Sequence, residues 1–318
     1  MAERPSMNSG FGAILAARLL GALFVSFLIG SLQVKGQGVL KNSSSVSAFS
    51  YELDAESSFL GTGTAKRGSK GVGDISEISS SAGIVVSTQF RDRSLLRLGV
   101  QWQRYSFDPD ASAPIPDSIQ GLNLVVGADL QVSPALLLRI EALPGLYGSG
   151  SLQNVSFKDF NVPFEIGGSY FVSTDLILIG GVLVDVNGSF PVYPAIGLHW
   201  KIGNKWVIEG IAPRPQLQYL LSDNVTLFAG ADLREATFRM DEHFGQSRGI
   251  RKLDNAILEY WEVRASAGLT WKISKNISFD IEGGCVPYRR FYYPRADNFK
   301  VLSEDVVPFA RIGLSAKF

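Results

Sequence analysis

From Phe49 onward the chain is made of segments in which every second residue is apolar, and no helical period of any length runs through it. Phe49, Tyr51, Leu53 and Ala55 alternate with Ser50, Glu52, Asp54 and Glu56, and Ala82, Ile84, Val86, Thr88 and Phe90 follow. Leu96, Leu98, Val100 and Trp102 alternate with Arg97, Gly99, Gln101 and Gln103. The pattern recurs from Leu122 to Leu130, from Leu136 to Ala142, from Trp261 to Trp271 and from Ile277 to Gly283. Each segment has one oily face and one face of small or charged residues, which is the signature of a strand with unlike surroundings on its two sides.

The connections carry a second signal. Tight turns sit at Arg91-Asp92-Arg93, Ser133-Pro134, Ser173-Thr174, Gly203-Asn204, Ser222-Asp223-Asn224 and Ser274-Lys275-Asn276, all turn-forming residue types. Between them lie longer polar or Gly/Pro-rich stretches at 60–76, 107–118, 147–161, 188–191, 212–215, 241–255 and 293–304. Short turns on one side and long loops on the other imply about fourteen antiparallel strands, the asymmetry of a membrane barrel. If the short stretch from Gln216 to Leu221, just after Pro213 and Pro215, is not a strand, the count falls to about twelve. The expected fold is all-β: a transmembrane antiparallel up-and-down β-barrel.

Composition narrows the function classes. The 318 residues carry 30 basic and 30 acidic side chains, and a zero balance excludes the basic excess that nucleic acid demands. One Cys rules out an internal disulfide, and two His with one Cys make no zinc site, so no metal or cofactor is expected. Only 19% of residues are charged, yet beyond the N-terminus no apolar run reaches the roughly 18–20 residues of a helical span.

The N-terminus reads as a secretory signal over residues 1–36, with the barrel domain at 37–318. Arg4 and Arg18 precede the run LLGALFVSFLIGSL from Leu19 to Leu32, the length of a signal core. Val34-Lys35-Gly36 places cleavage before Gln37, with a cut after Gly38 nearly as good. The alternative, an uncleaved anchor, would need a longer apolar run.

A soluble sandwich could share the alternation. Three features favour lipid on the apolar face: the export signal, the tryptophans Trp102, Trp200, Trp206, Trp261 and Trp271 toward strand ends as in an interfacial girdle, and the closing strand. That last strand ends in Phe318, with Ala316, Leu314, Ile312 and Ala310 spaced by two before it. It resembles the assembly signal of Gram-negative outer-membrane proteins. The stretches KWVIEGIAPRPQLQYLLSDNVTLFAGADLREATFRM, from Lys205 to Met240, and LEYWEVRASAGLTWKISKNISFDIEGG, within Ile257 to Tyr292, resemble a family of uncharacterised bacterial outer-membrane β-barrel domains. The resemblance implies a place in the outer membrane among lipid and lipopolysaccharide, and the barrel assembly machinery as a partner. It implies no activity.

With apolar residues outward, the inward set includes Glu52, Asp54, Asp129, Glu141, Glu165, Asp185, Glu209, Asp232, Glu262, Asp280 and Glu282 against Arg97, Arg139, Arg234, Arg264 and Arg311. Two readings follow: a weakly cation-preferring watery passage, or a ladder of structural salt bridges filling the lumen. The expected role is porin-like passive passage of small solutes or hydrophobic compounds. The rival is a plugged structural or adhesion barrel whose outer loops bind a partner. A barrel hydrolase using His199 or His243 ranks below both, because no His-x-Ser pair exists: His199 is followed by Trp200 and Lys201, and His243 by Phe244 and Gly245. No residue is expected to be catalytic. The cluster Arg289-Arg290-Phe291-Tyr292-Tyr293-Pro294-Arg295 reads as an aromatic girdle with snorkelling arginines, or as a grip on lipopolysaccharide phosphates. Cys285 reads as a small lipid-facing residue.

Overall fold

A computed structural model describes residues 49–91, 93–110, 113–150 and 156–318. The signal segment and its cleavage point lie outside the described residues. The chain forms one closed antiparallel barrel of fourteen strands. The strands are β1 (Phe49–Arg67), β2 (Lys70–Arg91), β3 (Ser94–Pro109), β4 (Ser118–Ser133), β5 (Leu136–Ala142) continued by β6 (Gly145–Ser149), β7 (Phe160–Asn161) continued by β8 (Phe164–Phe171), β9 (Leu176–Val184), β10 (Val192–Ile202), β11 (Trp206–Glu209), β12 (Gln216–Leu220), β13 (Val225–Arg239), β14 (Ile257–Lys272), β15 (Ile277–Tyr293), and β16 (Phe299–Ser303) continued by β17 (Val307–Lys317). Two of the interruptions fall at prolines, Pro144 and Pro163, which cannot donate to a ladder. Gln216–Leu220 is a strand, so the count is fourteen and not twelve.

Closure is made by β1 and β17, paired in antiparallel register from Glu52–Lys317 to Leu60–Phe309. No edge is left at the ends of the sheet, which is what allows strands to stand in hydrocarbon. The alternating apolar residues form the outer face. Leu98, Leu124, Ile166, Ile196 and Ile312 are exposed, while their neighbours Arg97, Val125, Glu165, Ala195 and Arg311 are buried.

The expected loop at 60–76 is instead strand. β1 and β2 run far past the apolar band and join at a two-residue turn at Gly68-Ser69, where Gly68 takes φ +61°. One face of the hairpin is buried through Leu60, Ala65 and Ile75, but polar and glycine residues fill most other positions and two register shifts in β1 interrupt the period, so the apolar alternation that announces a strand elsewhere is absent. Part of 293–304 is also strand, β16.

Toward the long-loop end the interior is packed solid. Tyr105, Phe107, Ile119, Phe238, Tyr260, Phe291 and Tyr293 meet there, capped by Ala113 and Ile115 from the β3–β4 loop and by Phe244 and Leu253 from the β13–β14 loop. The latter loop contains a short helix, α1 (Phe244–Ser247). Rings contact one another edge-on, Phe107 and Phe291 with centroids 5.1 Å apart and Tyr105 and Phe238 at 6.3 Å.

Candidate functional site: the barrel interior and its seam

Below the aromatic core the inward side chains are charged and paired. Six of them close a ring: Arg214 to Asp232 (3.7 Å), Asp232 to Arg234 (3.0 Å), Arg234 to Glu56 (2.7 Å), Glu56 to Arg311 (2.8 Å), Arg311 to Glu282 (2.6 Å) and Glu282 back to Arg214 (2.6 Å). Three cations face three anions, so the ring is neutral. Arg234 on β13 reaching Glu56 on β1 is a chord across the interior, because β14, β15 and β17 lie between those strands along the wall.

A second cluster sits against the aromatic core. Arg264 donates to Glu262 and to Ser58 (3.0 Å) and lies 3.7 Å from Glu77. The Arg289 guanidinium stands 3.6 Å from the same Glu77 and donates to the carbonyl of Ile75 (3.0 Å). The Tyr260 hydroxyl lies between Glu77 and Glu262, within hydrogen-bond reach of both. All five side chains are almost wholly out of solvent. Charges so placed stand only if each has an opposite partner, and here each does.

Toward the short turns a third group spans β1, β3, β4, β5 and β17. Arg97 bridges Glu141 (3.1 Å) and Glu52 (3.4 Å), and Lys317 approaches Glu52 at 3.3 Å. Arg139 grips Asp129 with two parallel bonds of 2.6 and 2.7 Å, the fork geometry that makes Arg a strong carboxylate partner. Asp280 accepts from Thr270 (2.6 Å), and Glu165 stands opposite Glu141 in register. His199 Nδ1 lies 2.6 Å from Glu209, and His243 is exposed beside Glu242 at 3.6 Å.

Alternation located most of this set. It does not mark Glu77 and Arg214, which lie in or beside the expected loops 60–76 and 212–215, or Arg289, which lies in the basic-aromatic cluster. Glu56, in plain alternation with Glu52 and Asp54, is a further inward carboxylate that the expected set does not include. The basic-aromatic cluster is neither girdle nor phosphate grip as a whole: Arg289, Phe291 and Tyr293 point inward and are buried. The reason is a bulge in β15 between the partners of Val263 and Ala265, which shifts the facing of everything beyond it.

The wall is not continuous. β11 and β12 are short, and they end well before β10 and β13 do. Leu198 of β10 exchanges backbone bonds with Gly210, but above it, among the described residues, no strand pairs with 192–197 on that side. On β13 the N–H groups of Ala231 and Leu233 bond to the carbonyls of Pro215 and Pro213, and beyond them the ladder stops until Arg239 meets Gly148 of β6. Across this gap the inward face of β9–β10 laps over the outward face of β13–β14. Tyr193 and Leu183 pack on Leu233, Trp261 and Val263. The Tyr193 hydroxyl donates to Glu235 (3.2 Å), Thr237 donates to Asp185 (2.6 Å), and Ser189 donates to Glu259 through both its hydroxyl (2.9 Å) and its backbone N–H. Two expectations change here. Trp261 is no interfacial anchor: it is buried under the hairpin with the Arg290 guanidinium 4.5 Å from its ring. Asp185 faces the lapped seam and not an open lumen.

A small recess of about 20 Å³ lies beside the seam on the β5–β8–β9–β10 side. Leu137, Ile179 and Ala195 line it with Gly167, Gly181, Arg139 and Glu165.

Among solved structures the chain is similar to the COG4313 outer membrane channel from Pseudomonas putida F1, at 9% identity and TM-score 0.47, covering 86% of this chain and 97% of that one. It is similar also to the P. putida toluene transporter TodX (9% identity, TM-score 0.40, 86% and 91% covered). A third is the translocator domain of autotransporter NalP from Neisseria meningitidis (12% identity, TM-score 0.37, 96% of each chain covered). No curated protein sequence gives a significant match. Residues 56–308, nearly the whole barrel, match the model of a family described as Domain of unknown function (DUF6268), and the chain belongs to that family.

Proposed function

We propose that this barrel passes small solutes passively across the outer membrane of a Gram-negative cell, hydrophobic compounds among them. The observation that carries the reading is the uneven filling of the interior. Ion pairs and aromatic rings crowd the β13–β14–β15–β17 side, while the β5–β8–β9–β10 side is lined by glycines and small residues, Gly167, Gly181, Ser169 and Ala195, around a small recess. Arg97, Asp129, Arg139, Glu141, Asp232, Arg234, Glu262, Arg264, Asp280, Glu282 and Arg311 are the proposed lining. Because they are paired almost one to one, ion preference is weak. The exported chain loses residues 1–36, is recognised by the barrel assembly machinery through its Phe318 end, and stands among lipopolysaccharide. No catalytic role is assigned: the partners of His199 and His243 among the described residues are carboxylates.

Reconstitution in planar bilayers tests the reading. Small, weakly ion-selective current steps are expected. Their absence over the whole voltage range, with a folded barrel in the membrane, would favour the second reading, a plugged barrel that works through its outer loops. That reading has one observation in its favour, the aromatic core sealing the long-loop end.

A further inference from the structure

We propose that the barrel mouth on the short-turn side is a binding cup for a zwitterion of dipeptide size, its carboxylate held by Arg214 and its ammonium by Asp54 and Asp280. The proposal adds a solute class to the passage reading, and rests on that reading only for a way out at the far end.

The exposure of the inward side chains outlines the cup. Along β1, Asp54 is exposed and the Glu56 side chain is 24% exposed, while Ser58 and Leu60 beyond them are buried. Along β14, Lys272 is exposed, Thr270 and Ser266 are half-buried, and Arg264 and Tyr260 are out of solvent. Water therefore enters from the short turns, the periplasmic side of such barrels, and stops at the six-membered ring of ion pairs. Between ring and mouth the inward residues of β14, β15 and β17 are small: Ser266, Thr270, Ser278 and Ser315. Side chains fill the interior of a barrel of about eight strands, so a wider one lined by such residues holds water.

The floor of the cup carries a cation with bonds to spare. Arg234 and Arg311 each donate two hydrogen bonds to carboxylates of the ring. Arg214 donates one, to Glu282, and among the described residues its Nε has no hydrogen-bond partner. Its side chain is 28% exposed, against 12% for Arg234 and 4% for Arg311. Arg214 is also the one ring member borne by a connection, that between β11 and β12. The carbonyls of Pro213 and Pro215 on either side of it accept from Leu233 and Ala231, which fixes the backbone and leaves the side chain to adjust. A guanidinium with unused N–H groups beside water suits a carboxylate.

The wall carries the complementary anions. Asp54 on β1 and Asp280 on β15 flank β17, opposite Ser315 and Gly313. Among the described residues neither is in an ion pair: Asp280 accepts from Thr270 (2.6 Å), and Lys317, nearer the mouth, is engaged by Glu52 (3.3 Å). They stand two residues from Glu56 and Glu282, about 7 Å along the strands. Two extended residues of a peptide span about the same length. An anion alone meets Asp54 and Asp280 with like charge, and a cation alone meets Arg214; a zwitterion satisfies both.

The test is titration calorimetry of barrel isolated from outer membranes in detergent micelles, with three probes. These are L-alanyl-L-alanine, its N-acetyl form, which is only anionic, and its C-terminal amide, which is only cationic. Alanylalanine is expected to bind, and each capped form to bind weaker by about tenfold, the loss of one charge-assisted contact. Arg214→Gln should weaken alanylalanine by about tenfold with an unchanged heat-modifiable barrel, and Arg214→Lys should recover part of the loss. Asp54→Asn with Asp280→Asn should weaken alanylalanine and not the N-acetyl form. The probe series uses the parent chain, so it decides even where a variant does not fold. No binding of alanylalanine, equal binding of all three probes, or an affinity indifferent to Arg214→Gln overturns the site. Liposome swelling separates the site from passage. Swelling in a neutral sugar with no binding of alanylalanine leaves passage standing and removes the site; binding with no swelling in either solute keeps the site and removes passage.

Discussion

Tyr51 and Phe318 exchange backbone hydrogen bonds, each donating its N–H to the other's carbonyl at 2.8 and 2.9 Å. The last residue of the chain is thus a rung of the ladder that closes the barrel. Its ring is exposed on the outward face with that of Tyr51.

Deleting Phe318 removes both bonds as well as the ring, whereas Phe318→Ala keeps the backbone. Loss of heat-modifiable barrel from the membrane is expected for the deletion, with secretion unchanged. If Phe318→Ala assembles as the parent does, the closing bonds matter and the ring does not. Equal failure of the two variants assigns the signal to the ring. Normal assembly of both would refute any role for the terminus.

Leu98 stands outward on β3 and is 58% exposed, flanked by the buried Arg97 and the small Gly99. Leu98→Arg should destabilise the barrel by about 2–4 kcal/mol, the cost of a cation at the bilayer midplane on a barrel's lipid face. Urea titration in lipid vesicles measures it. A change near zero would mean that this stretch of β3 lies outside the hydrocarbon.

Arg264 holds Glu262 and faces Glu77, and all three are wholly buried. Arg264→Met leaves two carboxylates without it, and a loss of about 3–5 kcal/mol is expected in the same titration. The double variant Arg264→Met, Glu262→Gln should recover part of that loss, since the stranded charge goes with its partner. No recovery would show that the cluster is not coupled.

Asp305, in the break between β16 and β17, accepts the Thr64 backbone N–H at 2.8 Å and has Lys66 at 3.7 Å. That N–H bond, first, and then the nearby ammonium hold its carboxyl below the usual carboxylate range. A carboxyl with a depressed folded value stabilises above its unfolded value and loses that contribution as the pH falls through the folded one. The pinning of the β1 extension should therefore persist at pH 5 and fade below about pH 4, the unfolded aspartate value. The amide shift of Thr64, followed by NMR, should move in that window. Asp305→Asn should abolish the movement.

Alternation made the barrel legible because lipid and interior differ in kind at every residue, so a strand between them is written with period two. The segment from Leu96 to Trp102 and the run from Ala310 to Phe318 need no tertiary information to be placed. The 60–76 stretch was opaque because its buried apolar residues, Leu60, Ala65 and Ile75, are few and two register shifts in β1 break the period between them. Glu77 and Arg289 were missed because one lies where that extension enters the barrel and the other beyond a bulge, and a bulge resets facing without a mark in composition.

The amino-acid order alone determined which face of each strand is oily, where the tight turns fall, and that the acids and bases opposite the oily face must meet one another. Those are properties of neighbours in sequence. Only the closed tertiary structure decided that Glu56 joins Arg234 and Arg311, that Trp261 lies under Tyr193, and that the wall is lapped between β10 and β13. Such relationships join residues far apart in the chain. They follow from strand lengths and register summed around the barrel, a global geometric condition that no local pattern contains.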